Sequence, residues 1–204
     1  MKSSRGLVQG VGVNDADYPV STWISIDGRQ STTWRCPIYQ AWKSMLRRCH
    51  SPKLKAKYPT YMRCTVSPEW HSFSAFRGWM LTQDWEGKQL DKDIITPGNK
   101  VYSPETCVLV SAQINSFMLD GGAARGEWPI GVCWSKSTGK FQSQCKNPFT
   151  GKSEYLGVFA DPNEAHEAWR ARKHELALAY ADMQVDPRIA MALRTRFSET
   201  GVTA

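Results

Sequence analysis

Four side chains in the stretch LDKDIITPGNKVYSPETCVLVSAQIN, residues 90–115, have the types and spacing to do chemistry: Asp91, Lys92, Asp93 and Asn115. Two carboxylates bracket a lysine at its start, and an amide stands at its end. Oxygen donors of this kind suit a hard divalent cation, Mg²⁺ or Mn²⁺, and such a cation suits a phosphate as the reacting group. A surface hairpin whose charges are merely solvated is the competing reading of the same window. For acid and amide to reach one point, three elements are needed. The Pro97-Gly98 turn must reverse the chain, the apolar run Cys107–Val110 must return as a strand, and a helix must come next carrying Asn115.

Charge supplies the partner. The chain carries a formal +7, and from Gly28 to Pro68 it has no Asp or Glu at all. Among the basic residues of that segment are Lys43, Arg47, Arg48, Lys53, Lys55, Lys57 and Arg63. A one-signed stretch of this length favours a polyanion, and nucleic acid is the partner expected. No apolar run reaches the length of a membrane span, and MKSSRGLVQG lacks the apolar centre of a signal peptide. A cytoplasmic protein without membrane partner or organic cofactor is therefore expected. The six cysteines form no C-x-x-C pair, so reduced thiols are expected and structural zinc is disfavoured.

Patterning gives an α+β chain. Asp27-Gly28 predicts a hairpin turn between Trp23–Ile26 and Gln30–Trp34. Residues 37–49 predict a helix with Ile38, Trp42, Met45, Leu46 and Cys49 on its buried face, and Lys43 and Arg47 off it. Residues 50–63 read as a lysine-rich loop. A second amphipathic helix is expected over Glu69–Leu81, with Trp70, Phe73, Phe76, Trp79 and Met80 as its core stripe. DGGAARGE, residues 120–127, reads as a linker. Beyond it lie three strands, Ile130–Trp134, Lys140–Cys145 and Glu154–Phe159, then a helix opened by Asp161-Pro162-Asn163-Glu164 and buried through Ala165, Trp169, Leu176 and Tyr180. In the middle strand Lys140, Gln142, Gln144 and Lys146 alternate with Phe141, Ser143 and Cys145. One exposed sheet face would then carry groups able to bond bases and phosphates, although such alternation also marks an ordinary wet sheet. Trp134, Lys136 and Lys152 join these as candidate DNA contacts. Residues 183–204 read as a tail with a short basic helix.

Residues 128–182 resemble the AP2 DNA-binding domain through IGVCW, TGKF, YLGVF and EAHEAWRARKHELA. That resemblance implies a three-stranded antiparallel sheet packed on one helix, docking in the major groove of double-stranded DNA. The chain departs from it at Ile130, Cys133 and Gln144, where arginines are common, and at Phe141, where tryptophan is usual. Residues 37–119 resemble phage-encoded HNH (ββα-metal) endonucleases of the freestanding homing type. The matching text is W-x-x-M-x-x-R-C, Y-x-x-C-x-V-x-x-E-W, LDKD, YSPETCVLV and the closing IN. This second resemblance implies a nuclease domain over 1–119, with Asp91 and Asn115 as metal ligands and Asp93 as an additional ligand or an orienting group. Bacterial host cytoplasm would be its location. Lys92 stands where that group carries a histidine base, and an unperturbed lysine is protonated at neutral pH. Three readings stay open: Lys92 stabilises transition-state charge, water gives its proton to solvent, or the site is inert. The expected activity is metal-dependent phosphodiester hydrolysis. The rivals are a non-catalytic DNA-binding protein, regulatory or anti-defence, and a protein-binding adaptor.

Overall fold

Two apolar patterns, an aromatic stripe in the first half and a strand-plus-helix module in the second, bury themselves separately. The computed structural model describes residues 6–119 and 126–198, and it divides into two units, Met1–Ser111 and Ala112–Ala204. The architecture is α+β with small sheets.

In the first unit, Asp27 and Gly28 both adopt positive φ (50° and 75°). That is the backbone a two-residue hairpin turn demands, and it joins β1 (Ser21–Ile26) to β2 (Arg29–Arg35) as an antiparallel ribbon. Helix α1 (Pro37–His50) opens on its proline and buries Ile38, Trp42, Met45, Leu46 and Cys49, the face its spacing predicts. Trp42 is fully enclosed; its indole N–H donates to the Trp70 carbonyl at 2.7 Å, and its ring lies 5.4 Å from Phe73.

Two expectations need correction. The lysine-rich segment is not all loop. Ser51 accepts from the Leu54 N–H and Pro52 stands at the first helical position, so Pro52–Lys57 forms a short helix, α2. The second amphipathic helix is also broken in two. Pro68–His71 is a 3₁₀ turn, and α3 (Phe73–Leu81) begins afresh because Ser72 caps it through the Ala75 N–H. The core stripe survives the break, since Trp70 and Phe76 pack edge to face at 5.0 Å.

The N-terminal arm has a structural role that its sequence leaves opaque. Val13 donates to the His71 carbonyl, and Phe73 donates back to Val13. Asp15 then accepts from the Ser72 and Ser74 hydroxyls and from the Ser74 N–H at 2.6–2.8 Å. Burial works to raise the Asp15 pKa, but the hydrogen bonds from Ser74 and Ser72 hold it below the ordinary carboxylate value. A depressed folded-state pKa contributes stability that is present above the unfolded value and lost as pH falls through the folded one. Asp15→Ala is expected to cost about 1 kcal/mol, the usual scale of a lost cap. In urea titrations the gap to wild type should be full at pH 7 and shrink below about pH 4.

Four short strands complete this unit. β3 (Thr65–Val66) runs parallel to β5 (Val101–Tyr102), and β4 (Gln89–Asp91) pairs antiparallel with β6 (Val108–Val110), which is buried along its whole length.

In the second unit, β7 (Val132–Ser135), β8 (Lys140–Lys146) and β9 (Ser153–Phe159) form an antiparallel sheet in that order. Helix α5 (Pro162–Ala181) starts where Asp161 accepts from the Asn163 and Glu164 N–H groups, and it buries Ala165, Trp169, Leu176 and Tyr180. Two further helices pack on α5. From α4 (Ala112–Met118), Phe117 packs edge to face with Tyr180 at 5.5 Å and Gln113 accepts from the Tyr180 hydroxyl. From α6 (Pro187–Arg196), Leu193 and Ile189 are buried. The boundary between units therefore falls before α4, at Ser111/Ala112, and not at the expected linker, most of which (120–125) lies outside the described residues. The short basic helix expected in 183–204 is present as Pro187–Arg196, and it packs into this unit.

Candidate active site and nucleic-acid interface

The carboxylate cluster is built by one short turn. β4 ends on Asp91, paired opposite Val108, and the Asp91 Oδ1 then captures the N–H groups of Asp93 (2.8 Å) and Ile94 (2.9 Å). An aspartate that satisfies its own downstream backbone fixes a tight turn, and here it rotates Lys92 inward. Lys92 is 5% exposed. Its Nζ donates to Asp93 Oδ2 and to the Asn99 carbonyl, each at 2.8 Å, and lies 5.8 Å from the Tyr102 ring. Asn99 closes the loop from the far side. Its amide donates to the Lys92 and Val101 carbonyls, and its oxygen accepts from the Val101 N–H. Type and spacing in the sequence do not single out Asn99. The signal for it is its place right after Pro97-Gly98, where a side chain able to bond nearby backbone ends the turn.

The two carboxyls respond oppositely to this environment. Burial raises the Asp91 pKa, and the neighbouring Asp93 charge raises it further, outweighing the two backbone bonds. Burial also works to raise Asp93, but its hydrogen bond with Lys92 holds it below the ordinary value. A third charge comes from α1. Arg48 is half-buried, donates weakly to the Tyr102 hydroxyl (3.4 Å) and lies over the Tyr61 ring. Burial works to lower its pKa, yet Tyr102, Tyr61 and the Asp91 carboxylate keep it above its usual value. Arg48 thus feels the Asp91 charge, though Tyr102 and Tyr61 act on it more strongly, whereas Lys43, Arg47, Lys53, Lys57 and Arg63 are exposed and Lys55 is half-buried. Asn115 is half-buried on α4, in the second unit, while Asp91 belongs to the first.

Hard oxygen donors suit Mg²⁺ or Mn²⁺, and on each aspartate one oxygen is already engaged, Asp91 Oδ1 by two backbone N–H groups and Asp93 Oδ2 by Lys92. Among the described residues no group of three or more His, Cys, Asp or Glu side chains converges on one metal position. The six cysteines are free thiols, and burial pushes Cys49 and Cys107 up to about 12.

On the sheet of the second unit, register decides which residues share a face. Gln142 lies opposite Cys133 and Val158, Gln144 opposite Tyr155, Lys140 opposite Ser135 and Lys146 opposite Ser153. This face contains no acidic residue. Lys140, Gln144 and Lys146 are exposed on it and Gln142 is half-buried. Exposed Lys136 stands just after β7, and Lys152, also exposed, precedes β9. Trp134 is the exception. It pairs opposite buried Phe141, with ring centroids 4.9 Å apart, so it sits on the other face, against the module's own core. Tyr155, 62% exposed, occupies the wet face in its stead and is an aromatic residue that strand alternation in β8 alone does not reveal. Glu154 points away from that face, held by Arg172 and Asn147 and pulled down to about 2, chiefly by the Arg172 hydrogen bond.

No helix among the described residues is long and apolar enough to cross a membrane. Comparison with protein-family models, curated proteins and solved structures finds no match for this chain.

Proposed function

We propose that the chain is a metal-dependent DNA endonuclease of the HNH type with an AP2-like DNA-binding module. The observation that carries the reading is the Asp91–Asp93 turn. It holds two carboxylates side by side, partly out of solvent, with the Asp91 charge acting on Arg48, in a unit whose segment 28–68 is basic and free of acids. Two like charges held this close favour a cation between protein and phosphate. When bound there, Mg²⁺ or Mn²⁺ supplies Lewis acidity toward a phosphate oxygen and charge stabilisation for the leaving oxygen.

The chain's own residues divide the remaining work. Asp91 is the oxygen donor, oriented by the backbone it caps. Arg48 holds a non-bridging phosphate oxygen, because its guanidinium is charged and within reach of the Asp91 field. Lys92 spends its ammonium on Asp93 and Asn99 and so positions the loop; it is not the proton acceptor. The exposed cations of α1 and α2 contact backbone phosphates. The acid-free sheet face, with Lys140, Gln142, Gln144, Lys146 and Tyr155, enters a groove. The resemblance assigns a ligand role to Asn115 as well, and the same assay tests that residue by itself.

The test is nicking of supercoiled plasmid with Mg²⁺, Mn²⁺ or EDTA, for wild type, Asp91→Ala, Arg48→Ala and Asn115→Ala. Cleavage should require metal. It should fall about a hundredfold or more in Asp91→Ala, the scale on which one preorganised charge-stabilising group acts. Cleavage that Asp91→Ala retains would remove the metal assignment. The role of Lys92 as a donor favours one rival, a DNA-binding protein without activity. Salt-sensitive DNA binding with no cleavage under any metal would select it.

A further inference from the structure

A separate feature of the second unit shares only Lys146 with the residues assigned above to DNA. Lys173, on α5, is half-buried over aromatic rings: its Nζ lies 3.5 Å from the Phe117 ring centre, 5.3 Å from Phe197 and 5.9 Å from Trp169. Ring faces stabilise an ammonium but give its N–H groups no oxygen acceptor. None of the described residues provides that acceptor or a carboxylate partner. On α5 and β9, Glu154 and Glu175 pair with Arg172 and Glu167 pairs with Arg170. Burial lowers the Lys173 pKa to about 8, the signature of an ammonium missing its counter-charge.

Lys173 opens onto a cavity of about 390 Å³. Lys146 lines the same cavity, as do Gln113 and Ser116 of α4, and Phe117 and Pro148 form an apolar wall. Two cations, an amide and a hydroxyl around a space with an apolar side match an anion attached to an organic body. The volume exceeds what an inorganic anion fills and lies within the range of small-ligand sites.

We propose that this cavity binds a phosphate group carried on a small organic molecule, with Lys173 and Lys146 supplying charge, Gln113 and Ser116 hydrogen bonds, and Phe117 and Pro148 contact with the organic part. The assignment does not rest on nuclease activity.

Titration calorimetry on the full chain tests it, with phenyl phosphate, inorganic phosphate and phenol as probes. Phenyl phosphate should bind saturably, about tenfold tighter than inorganic phosphate, because its ring buries apolar surface. Phenol should not bind. Lys173→Met should weaken phenyl phosphate at least about tenfold, and Lys173→Arg should retain most of the affinity. Acetylation of lysines in the wild-type protein, read by peptide mass, covers the case in which a variant fails to fold: phenyl phosphate should shield Lys173. A 5′-phosphorylated DNA duplex serves as the second arm. Shielding by the duplex alone, affinity unchanged in Lys173→Met, or no saturable binding of phenyl phosphate each overturns the proposal.

Discussion

Gly131→Ala should cost the second unit about 3 kcal/mol and lower its melting temperature by more than ~10 °C. Gly131 sits at φ +82°, a region where a Cβ is strained by about 1 kcal/mol or more. A Cβ there would also overlap the Trp169 side chain, which is buried. Neither partner can give way. Trp169 stacks on His166 with an interplanar angle of 18°, and the His166 ring is itself hydrogen-bonded to the Ile130 carbonyl at 2.9 Å. The Gly131 carbonyl meanwhile accepts from the Gln144 N–H, so the turn is pinned to β8 as well as to α5. The added methyl must therefore displace the ring or the strand, and overpacking of a fixed site typically costs about 1–3 kcal/mol beyond the backbone strain. Hydrogen exchange resolved by peptide separates this from a general loss of stability. Protection should fall across α5 and β7–β9 while α1 and α3 keep theirs, and a melt within ~2 °C of wild type would refute the packing argument.

Lys92→Met should lower the stability of the first unit by about 2 kcal/mol and abolish the geometry on which the proposed cleavage depends. The substitution keeps the buried aliphatic stem and deletes only the ammonium. What is lost is two hydrogen bonds from a charged donor, one to Asp93 and one to the Asn99 carbonyl. The figure is placed at the lower end for a charged pair because the Asp93 side chain is 44% exposed and water can replace part of the interaction. Deleting the charge also leaves the Asp91–Asp93 repulsion without its nearest cation, so the loop 92–101 should open first. Guanidinium titration measures the first effect, and limited proteolysis within 92–101 the second. Stability within about 0.5 kcal/mol of wild type would show that the lysine does not clamp this loop.

The features legible in the sequence share a property: their cause is local. Asp27-Gly28 announces its hairpin, Pro37 and a repeating apolar face announce α1, and Asp161-Pro162 announces α5, because each signal and its effect lie within a few residues. Ser51 and Ser72 are equally local signals, yet a run of lysines and a continuous aromatic stripe mask them. Other features have no local cause to read. Which face Trp134 occupies depends on its register with Phe141, a property of pairing and not of β7. The grip of Asp15 on Ser72 and Ser74 spans residues far apart in the chain. The inward turn of Arg48 depends on Tyr102, which arrives through β5. In the candidate site, the carboxylates stand out by type and spacing. The work of Lys92 and Asn99 does not, because it consists of bonds to backbone atoms that composition cannot reveal.

The parallel pairing of β3 with β5 bears on how the first unit is made, as well as on what it is. It joins Thr65–Val66 to Val101–Tyr102 and so closes a long loop containing α3, β4 and the carboxylate turn. Contacts inside that loop, such as Lys92 with Asn99, are short-range and quick to find; the latch is not, since closing a loop costs entropy that grows with its length. Arg48 meets Tyr102 only once the latch is shut. In kinetic terms the turn that holds Asp91 can exist before the fold does, but its neighbouring arginine arrives with the slow step.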